Sequence, residues 1–124
     1  MKKYNGKLVK PVTTERSSMT PEAKVKKVVV QQLKELSAYY FYPVTGGYGR
    51  SGVPDIVGCC NGRFFGIECK AGSNKPTALH TRNLEEIAGQ HGLALVVNQE
   101  NMWDVKEWLS KETETPWQLD LDIN

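Results

Sequence analysis

The feature that most constrains the fold is an Asn61-Gly62 pair between two short apolar runs near the middle of the 124-residue chain. Asn-Gly is the strongest short-range sequence signal for a β-hairpin with a two-residue type I′ turn, because both turn residues need a positive φ. A turn of this length fixes the register of the two strands that it joins. Asp55 is then expected directly opposite Glu68, with their Cβ atoms about 4.5 to 5.5 Å apart.

Three charged residues share one face of this predicted hairpin, namely Asp55, Glu68 and Lys70, because opposed residues and alternate residues point the same way. Like charges that face each other across two strands destabilise the pair unless something offsets them. A divalent cation such as Mg²⁺ would do so, since it binds carboxylates together with water and a substrate phosphate. The alternative is that the acids are ordinary solvated residues at strand ends, with Lys70 in a surface ion pair of little energetic value.

A helix is predicted from Thr20 onward. Thr20 suits the N-cap, Pro21 suits the first helical position, and Glu22 complements the helix dipole. The apolar residues that follow at helical spacing are Val25, Val28, Val29, Leu33 and Leu36. Glu22 extends this apolar stripe and is expected to face inward. It is therefore either a simple first-turn residue or a third carboxylate beside Asp55 and Glu68.

Pattern and breaker residues predict four further elements: a strand over 37–42, a helix over 77–90 that closes at Gly92, a strand over 93–97 and a final helix over 101–109. The strand over 93–97 is apolar throughout, which predicts burial on both faces and parallel pairing through a crossover helix. The final helix is expected to pack Trp103 or Trp108. The elements together predict an α/β fold with a mixed central sheet, in the order α-β-β-β-α-β-α.

The chain contains, in this order, Glu22, Gly52-Val53-Pro54-Asp55 and Glu68-Cys69-Lys70. This series resembles the motifs of the PD-(D/E)xK nuclease superfamily, and of its VRR-NUC branch in particular. The resemblance covers residues 20–110. In that branch the next helix usually opens with a glutamine, whereas this chain has Thr77-Ala78-Leu79-His80 there. His80 is accordingly an auxiliary candidate.

The resemblance implies a restriction-endonuclease-like core and a Mg²⁺-dependent endodeoxyribonuclease, with Mn²⁺ able to substitute for Mg²⁺. The implied metal ligands are Asp55, Glu68 and the backbone carbonyl of Cys69. Glu22 is expected to reach the ion through water or to help hold a second ion, and Lys70 to orient or activate the attacking water. These two residues complete a catalytic set with the two acids.

Stand-alone, virus-type proteins of this branch imply a homodimer that cuts four-way (Holliday) junctions or other branched DNA, as in DNA repair. Two active sites related by a twofold axis can nick paired strands symmetrically. The alternatives are a flap-cutting or restriction-like endonuclease, or an inactive DNA-binding module that keeps the fold. A purely structural reading, in which the acids have no functional role, also stays open.

A glycine-rich loop over residues 46–52 is expected to bring Tyr48 and Arg50 near the proposed site. The loop lacks the glycine spacing and the terminal Gly-Lys-Ser/Thr of a Walker phosphate loop. Tyr48 can stack on a base and Arg50 can grip a phosphate, although both are equally compatible with solvated side chains on a turn. Lys75 and Arg82 are further candidate DNA contacts.

Charge divides the chain into a basic N-terminal arm (1–19), the nuclease-like domain (20–110) and an acidic C-terminal tail (111–124). The net charge is +2, but without the tail 15 basic and 10 acidic residues remain, a net charge of +5. This excess is compatible with phosphate contacts and equally with a solvated surface. The tail is expected to be disordered, or to dock through the segment around Trp117.

The chain has three cysteines, an odd number without paired C-x-x-C spacing, so they are expected to be core thiols. A zinc site that includes His80 is disfavoured, because Cys59 and Cys60 point to opposite faces of one strand. We see neither a secretory signal nor an apolar run long enough to span a bilayer. We therefore expect a soluble protein in the cytoplasm, including that of a virus-infected host cell.

Overall fold

The structure is a computed structural model that describes residues 19–44 and 49–112. The elements in chain order are α1 (Pro21–Glu35), β1 (Tyr39–Phe41), β2 (Ile56–Cys60), β3 (Arg63–Cys69), α2 (Ala78–Gly89), β4 (Leu93–Val97), a 3₁₀ turn (Met102–Asp104) and α3 (Val105–Glu112). This order confirms the predicted α/β arrangement, with a four-stranded mixed sheet flanked by helices.

Helix α1 begins where the capping residues predict. The Thr20 side chain accepts a hydrogen bond of 3.1 Å from the Ala23 amide, and Pro21 occupies the first helical position. The predicted apolar stripe is inside, with Val25 and Leu33 fully buried. Its two ends, Glu22 and Leu36, are half-buried.

The predicted hairpin turn and register are confirmed. Asn61 and Gly62 have φ values of 50° and 85°, as a type I′ turn requires. The strand pairs run from Cys60 opposite Arg63, through Gly58 opposite Phe65, to Ile56 opposite Ile67. The register that the turn sets therefore holds as far as Ile56, the residue next to Asp55.

The four strands lie in the order β1-β2-β3-β4. The first three are antiparallel neighbours, and β3 and β4 pair in parallel, as predicted. The predicted burial of β4 on both faces is wrong, because β4 is an edge strand and its Val96 is 38% exposed. Strand β1 is shorter than predicted, since Ser37 and Ala38 donate amide hydrogen bonds to carbonyls of α1 and complete the end of that helix.

One face of the sheet carries the hydrophobic core, which we call the core face. Ile56, Phe65, Ile67 and Val97 are fully buried there, beneath α1 and α3. The 3₁₀ turn and α3 are tied to α1 through Gln32, whose side chain donates to the Met102 carbonyl and accepts from the Lys106 amide. Burial of apolar side chains on this face is the main source of stability.

The opposite face, which we call the α2 face, packs against α2 over β3 and β4. Gly66 permits the approach: a Cβ at this position would come within 2.6 Å of Ile87 Cδ1 and 3.0 Å of Pro54 Cγ. The absence of a side chain at position 66 thus lets both α2 and the segment that leads to Asp55 settle on the sheet.

The ends of the last two helices differ in detail from the prediction. Helix α2 closes through His91, which takes the left-handed conformation with φ 68°, while Gly92 is needed for its close approach to Ile87. Trp108 packs against the core, whereas Trp103 is 64% exposed. Within residues 19–44 and 49–112, no helix has both the length and the apolar character to cross a membrane.

Candidate active site

Two carboxylates meet where β3 ends. Glu68 is the penultimate residue of β3, and its side chain is only 1% exposed. Asp55 immediately precedes β2, and its Oδ2 accepts a hydrogen bond of 2.8 Å from the Cys69 amide. The hydrogen bond ties the entry of β2 to the end of β3 and holds the Asp55 carboxylate beside the second acid.

Two cationic or potentially cationic groups face the same oxygen of Glu68. Lys70 Nζ lies 3.3 Å from Oε2, and His80 Nε2 lies 3.6 Å from it. The His80 ring is oriented by Thr77, the N-cap of α2, whose hydroxyl lies 2.9 Å from Nδ1. The other oxygen, Oε1, is buried and has no hydrogen-bond partner among the described residues. We call Asp55, Glu68, Lys70 and His80 the acid centre.

The charges of the acid centre act on one another. Burial raises the pKa of Glu68, and the neighbouring Asp55 raises it further, while His80 and Lys70 act to lower it. The net direction is upward, so an ionised Glu68 is disfavoured unless a cation accompanies it. Burial and the Asp55 charge also raise the pKa of the Cys69 thiol to about 12, which keeps the thiol protonated and unreactive at neutral pH.

The donor set of the acid centre suits a hard divalent cation. Its two carboxylates are the oxygen ligands that Mg²⁺ prefers, with a carbonyl, water or phosphate completing the set. The unpartnered Oε1 of Glu68 is a buried acceptor of this kind. Within the described ranges no group of three or more His, Cys, Asp or Glu side chains is arranged to hold a metal ion, so an ion here would need ligands other than side chains in addition to the two carboxylates.

Glu22 lies on the other side of β3. It is in the first turn of α1, half-buried, and close enough to Cys69 that its charge contributes to the raised pKa of that thiol. No hydrogen bond or ion pair among the described residues joins Glu22 directly to Asp55 or Glu68. This position is compatible with a contact through water, which is the role expected from the resemblance.

A cleft of about 420 Å³ opens onto the acid centre and is lined by Asp55 and His80. Lys26 and Tyr42 also line it, and neither was singled out as a site residue from the sequence. Lys26 follows Glu22 by four residues and so shares its side of α1, which is the signal that could have identified it. Tyr42 had no such signal, because its position depends on how β1 packs.

The candidate DNA contacts in the described ranges, Arg50, Lys75 and Arg82, are all exposed. Arg50 NH2 forms an exposed ion pair of 2.8 Å with Glu86 Oε1 on α2, which lowers the pKa of that carboxyl. Asn83 donates to the Ser51 carbonyl, so that the same loop is attached to α2 at two points.

Some predictions concern residues outside the described ranges. Tyr48, the arm up to residue 18 and the tail from residue 113 onward belong to this group.

The three cysteines are free thiols, with Cys60 and Cys69 buried and Cys59 exposed.

No protein-family model, curated protein or solved structure matches the chain.

Proposed function

We propose that this protein is a divalent-metal-dependent, structure-selective DNA endonuclease built on a restriction-endonuclease-like core. The observation that carries the proposal is Glu68, a fully buried acid with an unpartnered Oε1, held beside Asp55 and facing Lys70. A buried carboxylate is costly unless it is paired, hydrogen-bonded or bound to a metal ion. The order of motifs along the chain, with its resemblance to the VRR-NUC branch, supports the same function.

The residues that would hold Mg²⁺ or Mn²⁺ are Asp55, Glu68 and, through its carbonyl, Cys69, while Glu22 would contact the ion through water. When bound, the ion supplies Lewis-acid stabilisation of the negative charge that develops on the scissile phosphate. The raised pKa of Glu68 means that ion binding must displace a proton from this site at lower pH.

Lys70 is the residue assigned to the phosphate or to the attacking water. Its side chain is 17% exposed, and its ammonium lies 3.3 Å from Glu68 Oε2. Its backbone is fixed by a hydrogen bond of 2.8 Å from its amide to the Val97 carbonyl. His80 is the auxiliary donor, held in place by Thr77.

The proposed substrate is branched DNA, and four-way junctions are the first choice. The proposed assembly is a homodimer, because two acid centres related by a twofold axis can cut paired strands symmetrically. If the substrate is instead a flap or a restriction-like substrate, the residues of the acid centre keep the same roles.

The test is cleavage of a panel of labelled single-stranded, duplex, flap and four-way DNA substrates with Mg²⁺ or Mn²⁺. We expect cleavage of a branched substrate, and losses of at least about 100-fold for Asp55→Asn, Glu68→Gln and Lys70→Met. Glu85→Gln and Lys111→Met change exposed residues away from the acid centre and serve as charge-matched controls.

A thermal melt accompanies the assay. A carboxylate site that binds the ion should raise the melting temperature of the wild type with increasing Mg²⁺ or Mn²⁺, and Asp55→Asn should remove this response. Wild-type cleavage rates in the acid-centre variants would refute the proposal. DNA binding without cleavage of any substrate would instead identify an inactive DNA-binding module.

A further inference from the structure

A second depression adjoins the cleft of the acid centre, between α1 and the segment that follows β1. Its volume is about 520 Å³, and we call it the lysine groove. Its walls and floor include Lys26, Lys27, Lys34, Tyr42, Ala23 and Val30. Lys26 and Tyr42 line both depressions, so the lysine groove is the direct continuation of the cleft along α1.

No ion pair within the described part of the chain involves a lysine of the groove, that is Lys26, Lys27 or Lys34. The nearest acid in sequence to Lys34 is Glu35, and its carboxylate is engaged by Lys106 at 3.3 Å. A groove lined by lysines attracts a polyanion and raises its local concentration.

The spacing of the lysines suits an extended ligand more than a single anion. Lys27 and Lys34 are two turns apart on α1, which separates them by about 10 Å along the helix axis. Their ammonium groups can therefore contact different phosphates of one extended backbone. Lys26 lies at the end of the groove that opens onto the acid centre, so the three ammonium groups mark a path that leads away from it.

The groove also offers an aromatic surface. Tyr42 is 52% exposed, and its ring is supported by an edge contact with the Tyr40 ring at a centroid distance of 6.2 Å. Ala23 and Val30 add apolar surface beside the lysines. A basic groove that tracks a backbone, with an aromatic side chain on which a base stacks, is the pattern of single-stranded nucleic-acid sites, where a duplex would hide its bases.

We propose that the lysine groove binds a single-stranded segment of DNA next to the cleavage position. The proposal rests on the function proposed for the acid centre and, within branched DNA, favours flaps and other substrates with an unpaired arm over the fully paired four-way junction. Lys27 and Lys34 contact successive parts of the backbone, Tyr42 stacks on a base, and Lys26 holds the phosphate at the entrance to the cleft.

The test is fluorescence anisotropy of a labelled 20-nucleotide oligothymidine with the full chain, in EDTA, so that binding is measured without catalysis. We expect the double variant Lys27→Gln/Lys34→Gln to weaken binding and to reduce the salt dependence, by about 0.7 in the log–log slope for each lysine. Tyr42→Ala is expected to weaken binding by at least about fivefold.

Two matched controls come from the same elements. Lys24→Gln removes an exposed lysine of α1 that does not line the groove, and Tyr39→Ala removes an exposed tyrosine of β1 on the opposite face. Both are expected to bind oligothymidine within about twofold of the wild type. Groove variants that bind as tightly as these controls would overturn the proposal.

Competition with unlabelled duplex DNA and with polyglutamate completes the test. Equal competition by the duplex would overturn the single-strand assignment, and equal competition by polyglutamate would identify a site for acidic protein segments instead. The groove variants can lose single-strand binding while the wild type cuts no DNA. This outcome supports the lysine groove and refutes only the endonuclease. If the groove variants still cut DNA and bind the single strand as tightly as the wild type does, the endonuclease is supported and the lysine groove is refuted.

Discussion

The two faces of the central sheet are built from alternate residues of the same strands, yet they differ in composition and burial. On the core face, Phe65 and Ile67 are fully buried under two helices. On the α2 face, the intervening residues are the half-exposed Phe64, the glycine at position 66 and the buried acid Glu68. The contrast teaches that β3 stabilises the fold with one set of side chains and carries the candidate chemistry with the other.

The largest expected effect separates the two faces by stability. Phe65→Ala should lower the free energy of unfolding by about 3 to 5 kcal/mol, because it opens a cavity in the core. Phe64→Ala, at the neighbouring position on the α2 face, should cost less than about 1 kcal/mol, since Phe64 is 47% exposed. Urea unfolding of both variants measures the difference. Similar losses would show that the α2 face contributes as much to stability as the core face.

An intermediate effect is expected where α2 meets the sheet. Gly66→Ala places a methyl group within 2.6 Å of Ile87 Cδ1 and 3.0 Å of Pro54 Cγ, and should cost about 1 to 3 kcal/mol through overpacking. Because Pro54 precedes Asp55, the same change should also reduce DNA cleavage. Adding Ile87→Val, which removes the contacting methyl, should recover part of the stability. An unchanged melting temperature for Gly66→Ala would mean that α2 packs loosely on this face.

The smallest effect depends on pH. The raised pKa of Glu68 contributes stability that is fully present below its ordinary value of 4.5 and is lost as the pH rises through the raised pKa of the folded protein. In EDTA, Glu68→Gln should therefore be more stable than the wild type near pH 7, by about 1 kcal/mol, and should lose this advantage as the pH falls through the raised pKa of Glu68 towards 4.5.

Thermal melts from pH 4 to pH 8 measure this difference, with Glu85→Gln on the exposed side of α2 as the control. The comparison is sharpened if Mg²⁺ stabilises the wild type near pH 7 and leaves Glu68→Gln unchanged. A Glu68→Gln variant that is less stable than the wild type near pH 7 in EDTA would show that Lys70 and His80 already compensate the buried charge.

Features that depend on nearby residues were predicted well from the sequence. The Asn61-Gly62 turn needs only its own two residues in a left-handed conformation, and the register follows from it by counting. The start of α1 likewise depends on Thr20 and Pro21. The approach of Asp55 to Glu68 and Lys70 could be predicted for the same reason, because one hairpin carries all three residues.

Features that depend on distant packing were missed. The apolar sequence of β4 predicts an interior strand. In the structure β4 is an edge strand, because no further strand among the described residues pairs with its outer side. Tyr42, which follows β1, lines the cleft together with Lys26 of α1, and this proximity depends on tertiary packing. The ion pair between Arg50 and Glu86 was not predicted, because it requires that α2 be docked on the sheet.

The sequence by itself determined the hairpin, its register and the identity of the charged residues that meet at its open end, since these are consequences of local conformation and side-chain alternation. Only the tertiary structure decided how those charges are arranged. Burial beneath the docked α2 leaves one oxygen of Glu68 without a partner and places His80 beside the other. Lys26 of α1 and Tyr42 line both the cleft of the acid centre and the lysine groove. Desolvation and long-range contact are properties of the assembled chain, and they exist only once the helices cover the sheet.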